Sequence, residues 1–80
     1  MILDVTRGHI RVQLLGRTAT VQGEMFFPGN SKVGFVAYSD NLRFWDAPHE
    51  ALAISESDKQ LIFEDIKADF GKGGHTLEIE

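Results

Sequence analysis

The chain has 80 residues, with eight basic and twelve acidic side chains, a formal net charge of -4 and no cysteine. This length predicts a single domain, residues 1–80, with a small core, because a chain of this size buries only about 60% of its unfolded surface. The lack of cysteine excludes a disulfide, a thiolate metal ligand and a cysteine nucleophile, and the negative charge disfavours nucleic acid, whose phosphates require clustered Lys and Arg.

The beginning of the chain lacks the basic region and apolar stretch of a signal peptide. No apolar run approaches the roughly 18 residues of a membrane span, so we expect a cytoplasmic protein that does not enter a membrane. Charge is unevenly distributed: residues 1–43 carry five basic and three acidic side chains, and residues 44–80 carry nine acidic side chains and three lysines. This asymmetry indicates either a solvated helix face, the commoner case, or an acidic surface that attracts a basic partner.

The N-terminal part of the sequence predicts a β-hairpin. Ile2 to Arg7 has the composition of a strand, and apolar and polar residues alternate from His9 to Leu15. Gly16 permits a tight turn, and the β-branched stretch from Thr18 to Gln22 predicts the returning strand.

The next segments predict a loop and then a central strand. Turn-forming residues at positions 28–31 predict that residues 23–32 form a loop, with Phe26 and Phe27 tucked under the fold. The stretch from Lys32 to Ser39 is apolar and rich in β-formers, which predicts a strand in the middle of the sheet.

The C-terminal half predicts one helix and one more strand. Residues 40–54 form an irregular connection, in which Pro48 disfavours helix at the preceding residue. Ser55 and Ser57 each begin a capping box, so a helix of about 14 residues should start there. Its apolar residues recur at helical spacing: Leu61, Ile62, Phe63, Ile66 and Phe70. Gly71 together with Gly73-Gly74 should end this helix, and alternation over 75–80 predicts a final strand with Leu77 and Ile79 facing inward.

Together these elements predict an α+β fold with a small, mostly antiparallel sheet. The order is β-β-β-β-α-β, and the one amphipathic helix packs on one face of the sheet.

No pattern in the sequence indicates catalysis or a cofactor. The three histidines, at positions 9, 49 and 75, lack metal-ligand spacing, so we expect no metal site. Glu64 and Asp65 are adjacent on the predicted helix and point about 100° apart, which is unsuitable for an acid and base pair. The glycines at 71–74 follow a helix, whereas phosphate binding requires a helix N-terminus. The sequence therefore predicts a binding protein and not an enzyme.

Trp45 is the candidate centre of a partner-binding surface. A lone Trp in an irregular segment is either a lid over the small core, the commoner case, or an exposed anchor for a partner. The predicted partner-binding residues are the neighbours that could surround it and Trp45 itself: Arg43, Phe44, Trp45, Asp46, His49 and Glu50.

Several short pieces of the chain follow one another in a familiar order. They are Thr6-Arg7-Gly8-His9-Ile10-Arg11-Val12, Gly23-Glu24, Phe35-Val36-Ala37-Tyr38, Trp45-Asp46-Ala47-Pro48, the capped acidic helix, and Leu77-Glu78-Ile79-Glu80. In this order the chain resembles the Immunity protein 74 family of bacterial polymorphic toxin systems. The stretch Phe26-Phe27-Pro28-Gly29-Asn30 departs from that pattern.

The resemblance implies a cytoplasmic protein that occludes the active site of a cognate toxin and has no catalytic residues. An acidic surface would suit a basic nuclease as the toxin. Two other functions stay open: a homo-oligomeric adaptor or structural domain, such as a homodimer formed through an exposed edge strand, and a small enzyme or ligand-binding protein with a His or carboxylate site. Persistence of a dimer on dilution would favour the first, and a bound metal or small molecule near His49 the second.

Overall fold

The computed structural model describes residues 1–29 and 31–80 and shows an α+β fold. Its elements in chain order are β1 (Ile2–Val5), β2 (His9–Leu14), β3 (Arg17–Gly29), β4 (Lys32–Ala37), a 3-10 turn (Ser39–Asn41), α1 (Glu56–Lys72) and β5 (Thr76–Ile79). The strands stand in the sheet in chain order, β1 to β4 antiparallel and β5 parallel to β4. The predicted fold class and order of elements are confirmed.

The middle strand, β3, is 13 residues long because it has two different partners. Residues 17–22 pair with β2, and the stretch from Gly23 to Gly29 pairs with β4. The prediction of a loop over 23–32 is therefore wrong for residues 23–29. Phe26 is only half-buried and Phe27 is 67% exposed, so the two rings are not tucked under the fold. Asn30, in the predicted turn, lies outside the described residues.

Two glycines allow β3 and β4 to approach closely. A Cβ atom at Gly23 would overlap the carbonyl oxygen of Val36 and lie 2.6 Å from the Phe35 ring. A Cβ atom at Gly34 would overlap the ring of Phe26, which lies over that glycine. Gly23, which the sequence suggested as the start of a loop, is therefore a position where a strand requires the smallest residue.

The core lies between one face of the sheet and the helix. Its buried members are Ile10, Val12, Ala19, Val21, Phe35 and Ala37 from the sheet, Ile62, Phe63, Ile66 and Phe70 from α1, and Leu42, Trp45 and Ile54 from the connection before α1. The strand predicted as central, β4, is an interior strand between β3 and β5, but the middle position belongs to β3.

The helix begins where the sequence predicts and ends later. The Ser55 hydroxyl accepts a hydrogen bond from the Asp58 amide at 3.1 Å, which confirms the first capping box. The helix spans 17 residues and includes Gly71, and it ends at Lys72 with Gly73 as its C-cap, followed by Gly74 at φ 74°, so the predicted stop at Gly73-Gly74 is confirmed. Two residues predicted to face inward are largely exposed, Leu61 in α1 at 44% and Ile79 in β5 at 41%.

Candidate partner-binding surface

The connection between β4 and α1 is ordered by its own backbone hydrogen bonds. The Ile54 amide donates to the Arg43 carbonyl at 2.8 Å, and the Trp45 amide donates to the Leu52 carbonyl at 3.2 Å. Phe44 and Ala53 form an antiparallel bridge between these two bonds. Residues 43–54, named here the Trp45 segment, therefore form a loop whose two ends are joined by backbone hydrogen bonds.

Asp46 attaches the Trp45 segment to the edge of the sheet. Its amide donates to the Thr18 carbonyl at 2.8 Å, and its carboxylate accepts a hydrogen bond from the Thr20 hydroxyl at 2.7 Å. These contacts lie on residues 17–22 of β3, which pair with β2, whereas the pairing with β4 begins at Gly23. A hydrogen bond to a charged group typically contributes about 1.5–3 kcal/mol, so Asp46 is a structural residue of this segment.

Trp45 is the buried lid of the core. Its side chain is 1% exposed, and the guanidinium carbon of Arg17 lies 5.5 Å from its ring centroid, within the range of a cation–π contact. The indole N–H is buried and has no hydrogen-bond partner within the described residues. The burial of Trp45 agrees with the interpretation that it is a lid over the core and disagrees with the interpretation that it is an exposed anchor for a partner.

The exposed apolar side chains of the segment are neighbours of Trp45. Phe44 is 56% exposed and Leu52 is 41% exposed. The other residues predicted for the surface also lie in this segment: Arg43 and Glu50 are exposed and His49 is half-buried. The Arg43 guanidinium donates to the Asp40 carbonyl at 3.1 Å, which ties the segment to the end of β4. Phe44 is therefore the aromatic side chain that a partner can reach.

A shallow groove of about 580 Å³ lies between α1, the 3-10 turn and the end of β5, and its lining residues Asp40 and Glu56 lie within three residues of the two ends of the Trp45 segment in the chain. Its lining residues are Ser39, Asp40, Glu56, Ser57, Lys59, Gln60, Phe63, Glu64, Lys67 and Ile79. Three acids and two lysines line this acidic groove, and Lys59 is already paired with Glu56 at 3.6 Å. The groove therefore carries one more carboxylate than ammonium groups, and this excess comes from Asp40.

Tyr38 directly precedes Ser39, a lining residue of the groove, and lies close to two glutamates, Glu24 and Glu80. Partial burial raises the pKa of Tyr38 above its ordinary value of 10.0, and the charge and hydrogen bond of Glu24 and the charge of Glu80 raise it further. The folded state disfavours the ionised form of Tyr38, so the neutral phenol contributes to the free energy of unfolding. This contribution is fully present below pH 10.0 and is lost as the pH rises through the folded pKa.

Alkaline titration of the phenolate absorbance should therefore give a midpoint above 10.0, and Tyr38 is the only tyrosine in the chain. Glu24→Gln should lower that midpoint, whereas Glu50→Gln, a change remote from Tyr38, should leave it in place. A wild-type midpoint at or below 10.0 with intact circular dichroism would contradict this prediction.

Two other classes of site have no support in residues 1–29 and 31–80. No group of three or more His, Asp or Glu side chains there is arranged to hold a metal ion. In the same ranges no helix is both long and apolar enough to cross a membrane. The geometry at this end of the molecule, with exposed apolar side chains beside an acidic groove, suits contact with another macromolecule.

The family of the chain follows from comparison with known proteins. The sequence profile named Immunity protein 74 matches residues 2–80. The chain belongs to the Immunity protein 74 family. No curated protein and no solved structure matches it significantly.

The Thr6-Arg7-Gly8 motif of this Immunity protein 74 chain forms a turn. The Thr6 hydroxyl accepts hydrogen bonds from the amides of Gly8 at 3.2 Å and His9 at 3.1 Å, which fixes the reversal between β1 and β2. The Trp45-Asp46-Ala47-Pro48 piece contributes the core lid and the attachment to β3. Both motifs shape the fold, and beside the first of them the His9 ring also lies 3.2 Å from the Thr6 hydroxyl and 3.6 Å from the Asp4 carboxylate.

The sequence analysis missed residues on both sides of the predicted surface. Leu52 was not among the candidates, because no periodicity marks an exposed apolar residue in an irregular segment. Asp40 and Ile79 were not assigned to the surface either, because they are distant in the chain and come together only when α1 and β5 pack beside the 3-10 turn.

Proposed function

We propose that this protein binds a cognate toxin in the cytoplasm and neutralises it by covering the toxin's active site, without catalysing a reaction. The observation that carries the proposal is the exposure of Phe44 and Leu52 on an ordered segment beside the acidic groove. An apolar centre with a charged rim is the usual composition of a protein interface. Membership of the Immunity protein 74 family supports a toxin as the partner.

The proposed contact residues have different roles. Phe44 supplies the apolar contact, and Arg43, His49 and Glu50 surround it as the polar rim. Trp45 and Asp46 act from beneath: the Trp45 side chain fills the core under the segment, and Asp46 holds it to β3. Such a support limits the entropy lost when the segment binds.

The charge of the groove favours a basic toxin surface. Asp40, Glu56 and Glu64 line it together with Lys59 and Lys67, so it carries one more negative than positive group, and Lys59 is paired with Glu56 at 3.6 Å. An acidic inhibitor increases its rate of association with a basic cleft, such as that of a nuclease, through electrostatic attraction. A nuclease is therefore the class of toxin that we propose.

The experiment is co-expression with the product of the neighbouring gene, which is the candidate for the cognate toxin. Growth of the cells and co-purification of the two proteins are the readouts. Phe44→Ala should weaken binding by about 30-fold, which corresponds to a hot-spot loss of about 2 kcal/mol, and should reduce rescue of growth. Circular dichroism should be unchanged, because the Phe44 side chain is 56% exposed.

Phe27→Ala is the matched control, since Phe27 is also exposed but lies at the far tip of the β3–β4 hairpin. It should bind and rescue as the wild type does. Loss of binding in Phe27→Ala with normal binding in Phe44→Ala would move the interface to the hairpin. A neighbouring product that is not toxic and does not bind would refute the proposed function.

A further inference from the structure

The last strand of the sheet has an unpaired edge. β5 is terminal in the sheet, and within residues 1–29 and 31–80 it pairs only with β4. The Glu80 amide donates to the Ala37 carbonyl at 2.8 Å, and the Glu80 carbonyl accepts from the Ser39 amide at 3.0 Å. Backbone groups of successive strand residues point to opposite edges, so the N–H and C=O groups of Leu77 and Ile79 point away from β4. This edge can therefore hydrogen-bond to another strand.

The acidic groove lies at the C-terminal end of this edge. Ile79 belongs to both: its backbone faces the free edge, and its side chain, 41% exposed, lines the groove with Phe63. A strand added to β5 would place alternate side chains on the groove side, over Ile79 and close to Asp40 and Glu64. Its other side chains would lie on the opposite face of the sheet, where Glu78 projects from β5.

The same charges disfavour a second copy of the chain as the added strand. β5 carries Glu78, and Glu80 follows it directly. Pairing two β5 edges would bring these glutamates together with their counterparts, and like charges on neighbouring strands are destabilising. Charged residues on an edge strand are a common protection against self-association. A basic segment would instead find Glu78 on one face of the edge. On the groove side it would find Asp40 and Glu64 against the single lysine Lys67, since Lys59 is paired with Glu56.

We propose that the toxin adds a basic, extended segment to β5 as a sixth strand of the sheet. Apolar side chains of this segment pack on Ile79, and its Lys or Arg side chains face Asp40, Glu64 and Glu78. Main-chain hydrogen bonds to Leu77 and Ile79 provide affinity, and the charges select the segment. This inference rests on the proposed function and adds to it the part of the partner that is recognised.

Amide hydrogen exchange measured by NMR, with and without the purified product of the neighbouring gene, tests the added strand. The amides of Leu77 and Ile79 should become at least about tenfold more protected in the complex, because each gains a backbone acceptor. The Glu78 amide, which faces β4 in the free protein, should change less. Unchanged exchange at Leu77 and Ile79 in a complex that forms would overturn the proposal.

Two substitutions of one residue separate the backbone contact from the side-chain contact. Ile79→Ala removes the side chain and keeps the outward N–H, whereas Ile79→Pro removes both and loses no bond to β4. Ile79→Pro should bind the neighbouring product about tenfold more weakly than Ile79→Ala, the value of about one hydrogen bond. If Ile79→Pro fails to fold, the exchange measurement on the wild type still decides.

The outcomes distinguish the two proposals. Tight binding and neutralisation with equal affinities for Ile79→Ala and Ile79→Pro would refute the added strand and leave the proposed function intact. Absence of binding to the neighbouring product would refute both. Protection of Leu77 and Ile79 that appears without the partner, at raised concentration and with a dimer in sedimentation, would show that a second copy occupies the edge and would overturn the proposal.

Discussion

Replacing Trp45 with alanine is expected to lower the free energy of unfolding by about 3–5 kcal/mol. The Trp45 side chain is 1% exposed and is the largest of the fully buried side chains. Its removal leaves a cavity that the surrounding core cannot close, because the Trp45 segment is fixed at its base and to β3. Small domains have a stability of about 5–15 kcal/mol, so this variant should lose a large fraction of its stability.

Urea denaturation followed by far-ultraviolet circular dichroism measures this loss, since Trp45 is the only tryptophan and fluorescence disappears with it. Trp45→Phe is the matched control and should cost much less. It keeps much of the apolar surface and also removes an indole N–H that is buried without a partner, a burden of about 1–3 kcal/mol. Wild-type stability in Trp45→Ala would show that Trp45 is not the lid of the core.

This expectation determines which substitutions can locate the interface. Loss of toxin neutralisation in Trp45→Ala would follow from unfolding alone. Charge reversal at Asp46 has the same defect, because it breaks the hydrogen bond from Thr20. Phe44→Ala is the informative variant in this segment, since it removes an exposed side chain and leaves the supports beneath it in place.

The parts of the fold that are encoded locally could be predicted from the sequence. Ser55 and its partner Asp58 are three residues apart, so the helix start is visible without any knowledge of the fold. The β2–β3 hairpin likewise depends on alternation and on a turn at Leu15 and Gly16. These signals act over a few residues, and tertiary packing does not change their meaning.

The errors concern contacts between distant parts of the chain. Gly23 and Pro28 have the properties of loop residues, yet β3 continues through both, because β4 pairs with this stretch and needs the space at Gly23. The exposure of Ile79 follows from the edge position of β5, which alternation within one strand cannot reveal.

The candidate site shows the same division. The sequence located the Trp45 segment correctly as the irregular stretch between β4 and α1. It could not decide which of the adjacent side chains Phe44 and Trp45 is buried, because outside a helix or strand there is no period that assigns faces. Tertiary packing buries Trp45 and exposes Phe44, and it brings Asp40 beside α1.

Replacing Gly23 with alanine should lower the free energy of unfolding by at least about 3 kcal/mol, at or above the upper end of the usual range for overpacking. The added methyl group would overlap the backbone carbonyl of Val36 and lie 2.6 Å from the ring of Phe35, which is fully buried. Neither neighbour can move freely: Val36 lies within β4, whose two edges are both paired, and Phe35 is fixed in the core.

Gly71→Ala is the matched control for this substitution. A methyl group at Gly71 meets no atom within 4 Å, and the residue lies in α1, where alanine is favoured over glycine by about 1 kcal/mol. The control should therefore raise the midpoint of urea denaturation, whereas Gly23→Ala should lower it steeply. Equal stability of Gly23→Ala and the wild type would mean that β3 does not pass β4 at this distance. The pairing of β3 with β4 would then differ from the one described, and so would the strand to which Asp46 attaches the Trp45 segment.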